Sequence, residues 1–153
     1  DINDFFCPGA VLAGLVAPNK KMLFQQLGTI AERVHGVDSA LVVERLTERE
    51  RLGSTGFGGG IAIPHGKIEG LDRVVGLFLR LAQPVDFASI DDEAVDLVFM
   101  LLSPPDAGAD HLKALAQVSR VLRDRAFVAK LRGAATDDAL LALFSTGEAR
   151  DAA

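Results

Sequence analysis

Val74-Val75-Gly76-Leu77-Phe78-Leu79-Arg80-Leu81 and, further on, Val95-Asp96-Leu97-Val98-Phe99-Met100-Leu101-Leu102 decide the fold class. Neither run alternates apolar with polar residues, as a strand with one wetted face does. Almost every position is apolar, which suits central strands that carry helices on both faces. Between the runs, Pro84 and the polar residues 89–93 form connections, with room for a short edge strand. After them, Ser103-Pro104-Pro105 ends the second run sharply, because proline cannot donate to a ladder.

Upstream, Asn19 is placed to cap a helix from Lys20 to about Val34, with Leu23, Leu27, Ile30 and Val34 on one face. His35-Gly36 closes it, glycine supplying the left-handed conformation of many helix ends. Asp38 or Ser39 opens a second helix with Leu41, Val42 and Leu46 apolar, and Gly53 stops it. Residues 53–60 hold five glycines and read as a loop. Ile61-Ala62-Ile63 then reads as a short strand ended by Pro64. Downstream, Asp110 is expected to cap a helix with Leu112, Leu115, Val118 and Leu122 on its inner face. Two shorter helices follow at 127–132 and 137–144, the second capped by Thr136, and the tail after Gly147 is expected to fray. The pattern is a single α/β or α+β domain spanning 1–153, with helices on both faces of a small sheet.

The 153 residues fit one domain, and 49% hydrophobic with 24% charged residues is ordinary globular usage. A net charge of −5 without a Lys/Arg stripe argues against nucleic acid as a partner. No apolar run approaches the ~20 residues that cross a bilayer, so membrane insertion is not expected. Asp1-Ile2-Asn3-Asp4 does not read as a signal peptide. The single cysteine, Cys7, cannot form an intrachain disulfide and fits a reducing cytoplasm. Its neighbours Phe5, Phe6 and Pro8 offer nothing to make a thiolate, so it reads as a small apolar residue.

The chemistry rests on histidines. His35, at a helix end, reads as a structural cation complementing the helix dipole. His65 follows Gly-Ile-Ala-Ile-Pro, where the chain leaves a strand, is stiffened by Pro64 and turns at Gly66, beside glycine-rich backbone able to approach an anion. His111 lies in the first turn of a helix, where an imidazole tends to stay neutral. Two histidines are too few for a zinc site, and no Cys/His/Asp cluster has metal-like spacing. There is no Gly-x-Ser-x-Gly elbow. Gly53-Ser54-Thr55-Gly56 lacks the Gly-Lys-Ser/Thr ending of a phosphate loop. What remains is a nucleophilic histidine that takes up a phosphoryl group and passes it on.

Leu52-Gly53-Ser54-Thr55-Gly56-Phe57-Gly58-Gly59-Gly60-Ile61-Ala62-Ile63-Pro64-His65-Gly66-Lys67 closely resembles the active-site signature of enzyme IIA proteins of the phosphotransferase system, in the fructose, mannitol and nitrogen-regulatory family. Asp110-His111-Leu112-Lys113-Ala114-Leu115 is similar to the family's second-histidine helix, and Leu46-Thr47-Glu48-Arg49-Glu50 to the segment that supplies an arginine. The resemblance implies a mixed sheet of about five strands between helices. It implies that His65 accepts a phosphoryl group on Nε2 from an HPr-like phosphocarrier fed by enzyme I and phosphoenolpyruvate. His111 and Arg49 would steady the phosphate, with Ser54, Thr55 and Gly66 near it, in a cytoplasmic protein without metal or organic cofactor. Arg51 rivals Arg49, but on one helix the two diverge by roughly 200°. The signature is most similar to the nitrogen-regulatory branch, whose phosphorylation state regulates partner proteins. The alternatives are a sugar-transport enzyme IIA that hands phosphate to an enzyme IIB, and a binding module that is never phosphorylated. Phe57 and Gly58-Gly59-Gly60 depart from the family pattern. Phe57 reads either as a contact for the phosphate donor or as core.

Overall fold

A computed structural model of the protein describes residues 1–146; the expected fraying after Gly147 lies outside the described residues. After a 3₁₀ turn (Ile2–Phe5) the elements are β1 (Val11–Leu15), α1 (Lys20–His35), α2 (Ser39–Arg51), β2 (Gly56–Gly58), β3 (Ile61–Ala62), β4 (His65–Lys67), β5 (Val75–Val85), β6 (Val95–Ser103), α3 (Ala109–Arg123), α4 (Arg125–Gly133) and α5 (Asp137–Ser145). The sheet is mixed and runs β1-β5-β6-β3-β2, with β4 also on β6. β5 and β6 form its antiparallel centre; β1 joins β5, and β3 and β4 join β6, in parallel.

Alternate residues of the two central strands feed two separate cores. Leu77 and Leu79 of β5, with Val98, Met100 and Leu102 of β6, pack under α1 and α2. Phe78, Leu97, Phe99 and Leu101 pack on the opposite face with α3, α4 and α5. The nearly continuous apolar runs are thus the signature of a sheet dry on both sides. Phe144 of α5 anchors the second core, its ring 4.9 Å from Phe78 and 5.9 Å from Phe99. Arg80, the charge inside the first run, sends its guanidinium to the Leu131 and Ala134 carbonyls at the end of α4, satisfying acceptors that a helix end leaves open.

The local helix signals hold. Asn19 accepts from the Met22 N–H at 2.8 Å, Gly36 closes α1 at φ 73°, and Thr136 accepts from the Ala139 N–H. Other expectations need correction. Residues 53–60 are not all loop, since Gly56–Gly58 pairs with β3 as a hairpin. Pro84 lies inside β5 rather than in a connection, within the irregular stretch between Arg80 and Val85 where the ladder shifts and its missing N–H costs nothing. Asp110 does not cap α3: Gly108 holds that position, and Asp110 sits in the first turn. Leu112 is 68% exposed. The buried face of α3 is Ala114, Val118, Val121 and Leu122.

β1 gives no strong sequence signal and sits at the sheet edge. There the Ala13 N–H is taken by the Asp137 carboxylate at 2.7 Å and the Val16 carbonyl by the Gln26 amide at 2.7 Å. Side chains thus cover edge groups that would otherwise invite another strand.

Candidate functional site

Pro64 does not end the extended chain that begins at Ile61. β3 runs beside Leu97 and Val98, the Pro64 carbonyl accepts from the Leu101 N–H at 3.0 Å, and His65, Gly66 and Lys67 pair with Leu101, Leu102 and Ser103. His65 therefore lies on a ladder and not on a flexible glycine turn, and Gly66 is a strand residue. A Cβ on Gly66 would stand 3.1 Å from the Arg45 Cβ, so glycine is what lets α2 pass this close.

The register with β6 fixes the direction of each side chain. His65 shares Leu101's face, the side covered by α3, and Lys67 and Ser103 share it two residues on. α3 brings His111 to the same place, the two imidazole centroids being 5.6 Å apart. From the other layer, the end of α2 contributes Arg49, whose Nη1 donates to the Gly53 carbonyl at 2.8 Å. A cleft of about 390 Å³ joins them, lined by His65, His111, Arg49, Lys67, Arg45 and Leu52 among others.

His65 Nδ1 lies 2.8 Å from the Ile63 carbonyl oxygen. A carbonyl only accepts, so Nδ1 carries the proton and the lone pair resides on Nε2. The His65 pKa is lowered, chiefly by burial and further by the Arg49 charge, against the opposing pull of the Ile63 carbonyl and Glu50. His111 is lowered too, by burial first and then by His65 and Lys67. The His65 ring is thus a neutral base with Arg49 beside it and Lys67 in the same cleft, a combination that suits attack on a phosphoryl group better than proton storage.

Not every expected residue meets in this cleft. The Ser54 hydroxyl donates to the Phe87 carbonyl at 3.1 Å, and Thr55 gives both its N–H and its hydroxyl to Glu50. Both hydroxyls are spent on holding the segment before β2. The Thr55 carbonyl in turn accepts from the Ile63 N–H at 3.1 Å, so Thr55 reaches His65 through backbone. Arg51 lines a separate hollow with Lys20, Lys21 and Phe24. Phe57 packs against the α3–α5 core, beneath the Arg123 guanidinium, and lines a hollow other than the one that holds His65. His35 is structural in a different way from that expected: burial lowers its pKa, and Nε2 donates to the Gly76 carbonyl at 2.9 Å, so it serves as a neutral donor.

Sequence reasoning passed over Ser103, Arg45 and Glu50. Ser103 is fully buried, with its hydroxyl 2.6 Å from His111 Nδ1. The one available signal was a hydroxyl closing an apolar run. Arg45 links the exposed carboxylates of Glu44, Glu48 and Glu69 at the rim.

Residues 4–147 match the family described as phosphoenolpyruvate-dependent sugar phosphotransferase system, EIIA 2. The chain belongs to this family. Among EIIA 2 relatives, a nitrogen regulatory protein of Bradyrhizobium diazoefficiens is 45% identical over 144 residues, covering 94% of each chain. The crystal structure of nitrogen regulatory protein IIA-Ntr from Neisseria meningitidis superimposes with a TM-score of 0.86 at 32% identity, covering 93% of this chain and 97% of that one. IIA mannitol from Escherichia coli gives 0.69 at 25% identity, covering 85% and 92%. The nitrogen-regulatory members of the EIIA 2 family are thus the stronger likeness.

Burial of the three histidines couples stability to pH. Their folded pKa values lie below the ordinary 6.5, so the unfolded chain binds protons that the folded one refuses. The associated stability is complete above pH 6.5 and is lost as pH falls through that value and the lower folded ones. Thermal unfolding is expected to show Tm falling between about pH 7.5 and about pH 5.5. A Tm that stays flat or rises over that window contradicts the assignment.

Proposed function

We propose that this protein is a cytoplasmic phosphoryl carrier of the nitrogen-related phosphotransferase system, with His65 as the acceptor, and that its phosphorylation state regulates partner proteins. The observation that carries this reading is the fixed tautomer of His65, with Nδ1–H spent on the Ile63 carbonyl and Nε2 left as the nucleophile. In the transfer, Nε2 attacks phosphorus on an HPr-like carrier. The bond from phosphorus to the carrier breaks, and its electron pair leaves with the carrier. Such transfer depends on alignment and charge more than on covalent machinery. Arg49 and Lys67 supply positive charge for the incoming oxygens, and His111 supplies a ring nitrogen.

The rim supports a protein donor. Leu52, 84% exposed, lines the cleft, and Leu112, 68% exposed, follows His111 directly. Glu48 and Glu69 line the same cleft, and Glu44 lies beside Arg45 at its rim. Exposed leucines beside carboxylates suit a carrier with an apolar centre and a basic border.

Incubation with enzyme I, an HPr or its nitrogen-related counterpart, and phosphoenolpyruvate is expected to place one phosphoryl group on His65 Nε2, read by ³¹P NMR. No phosphohistidine, or one formed on Nδ1, overturns the proposal and favours a binding module that is never phosphorylated. The likeness to IIA mannitol keeps a second reading in play, in which the group passes to an enzyme IIB. Efficient transfer to an enzyme IIB favours that reading over regulation.

A further inference from the structure

Ser103 stands at the end of β6, after the apolar run 97–102, fully buried, where a hydroxyl without a partner costs free energy. Among the described residues its hydroxyl has one partner, His111 Nδ1 at 2.6 Å. Two arrangements are open. If Nδ1 carried the proton and donated to Ser103, the serine's own O–H would point at no acceptor. If Ser103 donates to a bare Nδ1, both groups are satisfied. The second arrangement puts the His111 proton on Nε2, the nitrogen not engaged by Ser103.

The result mirrors His65. There a main-chain carbonyl holds the proton on Nδ1 and leaves Nε2 as an acceptor; on His111 a side-chain hydroxyl leaves Nε2 as a donor. The two rings, 5.6 Å apart, are then a nucleophile and an N–H that face one cleft. Ser103 is well placed for this task because the backbone cannot drift: its carbonyl accepts from the Ile68 N–H at 2.8 Å, and it pairs in register with Lys67, two residues after His65.

We propose that Ser103 is a positioning residue whose hydroxyl donates to His111 Nδ1 and keeps that ring in its Nε2–H form. The ring thereby becomes a fixed donor to the phosphoryl group on His65 and prolongs the life of the phosphohistidine. The lifetime part rests on the proposed function; the tautomer part does not.

The test has two arms on the full chain. In long-range ¹H–¹⁵N spectra above pH 7, wild-type His111 is expected to show an unprotonated Nδ1 and a protonated Nε2. Ser103→Ala is expected to introduce a measurable Nδ1–H fraction, which Ser103→Thr, retaining the hydroxyl, removes. A protonated Nδ1 in the wild type, or a ring unaffected by Ser103→Ala, overturns the proposal. The wild-type spectrum decides the tautomer even if a variant fails to fold. In the second arm, the half-life of phosphorylated His65 is expected to fall about tenfold in Ser103→Ala and to recover in Ser103→Thr. A factor of ten corresponds to the loss of roughly one net hydrogen bond, ~1.4 kcal/mol. An unchanged half-life overturns the lifetime claim. Absence of phosphohistidine from the wild type overturns it together with the proposed function, while the first arm still stands as the judge of Ser103's role.

Discussion

His65→Ala is expected to leave no acid-labile label on the protein after incubation with the phosphoenolpyruvate-driven carriers. The reason is chemical: the covalent route needs a ring nitrogen with a free lone pair in the cleft, and the remaining histidines are committed elsewhere. His35 uses Nε2 to donate to the Gly76 carbonyl. His111 has its Nδ1 against Ser103. Truncating His65 removes a partly buried ring and one hydrogen bond to Ile63, a loss of about 1 kcal/mol that leaves the fold intact. Filter-bound radioactivity, with circular dichroism as a control for folding, makes the measurement. Label undiminished in the variant refutes His65 as the acceptor.

Glu50→Ala is expected to be the most damaging change away from the cleft. The Glu50 side chain is 8% exposed; its carboxylate pairs with Lys20 at 2.6 Å and accepts the Thr55 hydroxyl at 2.6 Å and the Thr55 N–H at 3.0 Å. Removing it leaves the two Thr55 donors unpaired and takes the counter-charge from the Lys20 ammonium, which keeps only the Phe87 carbonyl at 2.9 Å and the Phe87 ring. Breaking one partner of such a buried pair costs about 3 kcal/mol, which lowers Tm by about 9 °C in a chain of this size. Damage also reaches the site, because Thr55 holds Ile63 and Ile63 orients His65. Glu50→Gln, which keeps an acceptor for Thr55, is expected to fall between the two. A Glu50→Ala protein melting within about 1 °C of wild type refutes this account.

What was legible in the sequence was mostly local or strongly periodic. Asn19, Gly36 and Thr136 mark helix ends because a cap is satisfied within a few residues. The central strands were visible because burial on both faces leaves few polar positions to confuse the pattern. β1 and β4 were not, because nothing in Val11–Leu15 or His65–Lys67 prefers a strand strongly; each is held by the neighbour it pairs with, β5 or β6. α3 misled through Leu112: its spacing fits a helix, but the helix turns Ala114, Val118, Val121 and Leu122 inward. At the cleft, His65 and His111 were singled out by their setting, one after a short strand and one in a helix's first turn, and the family resemblance added Arg49. Ser103, Arg45 and Glu50 acquire meaning only once β6, α2 and the segment before β2 are folded together, so spacing alone could not expose them.

Under the proposed function, the attachment of His65 to the β6 ladder shapes how its state would be read. A ring pinned by neighbouring main chain at 61–68 has little travel, and under the proposed function a donor would have to bring its group to a stationary target. Acquiring phosphate would then reshape the backbone very little. What changes is the local field, from an uncharged ring to a dianion at the mouth of a cleft rimmed by glutamates. A regulated protein that distinguishes the two states would be sensing voltage rather than contour, and its grip should weaken or tighten with ionic strength accordingly.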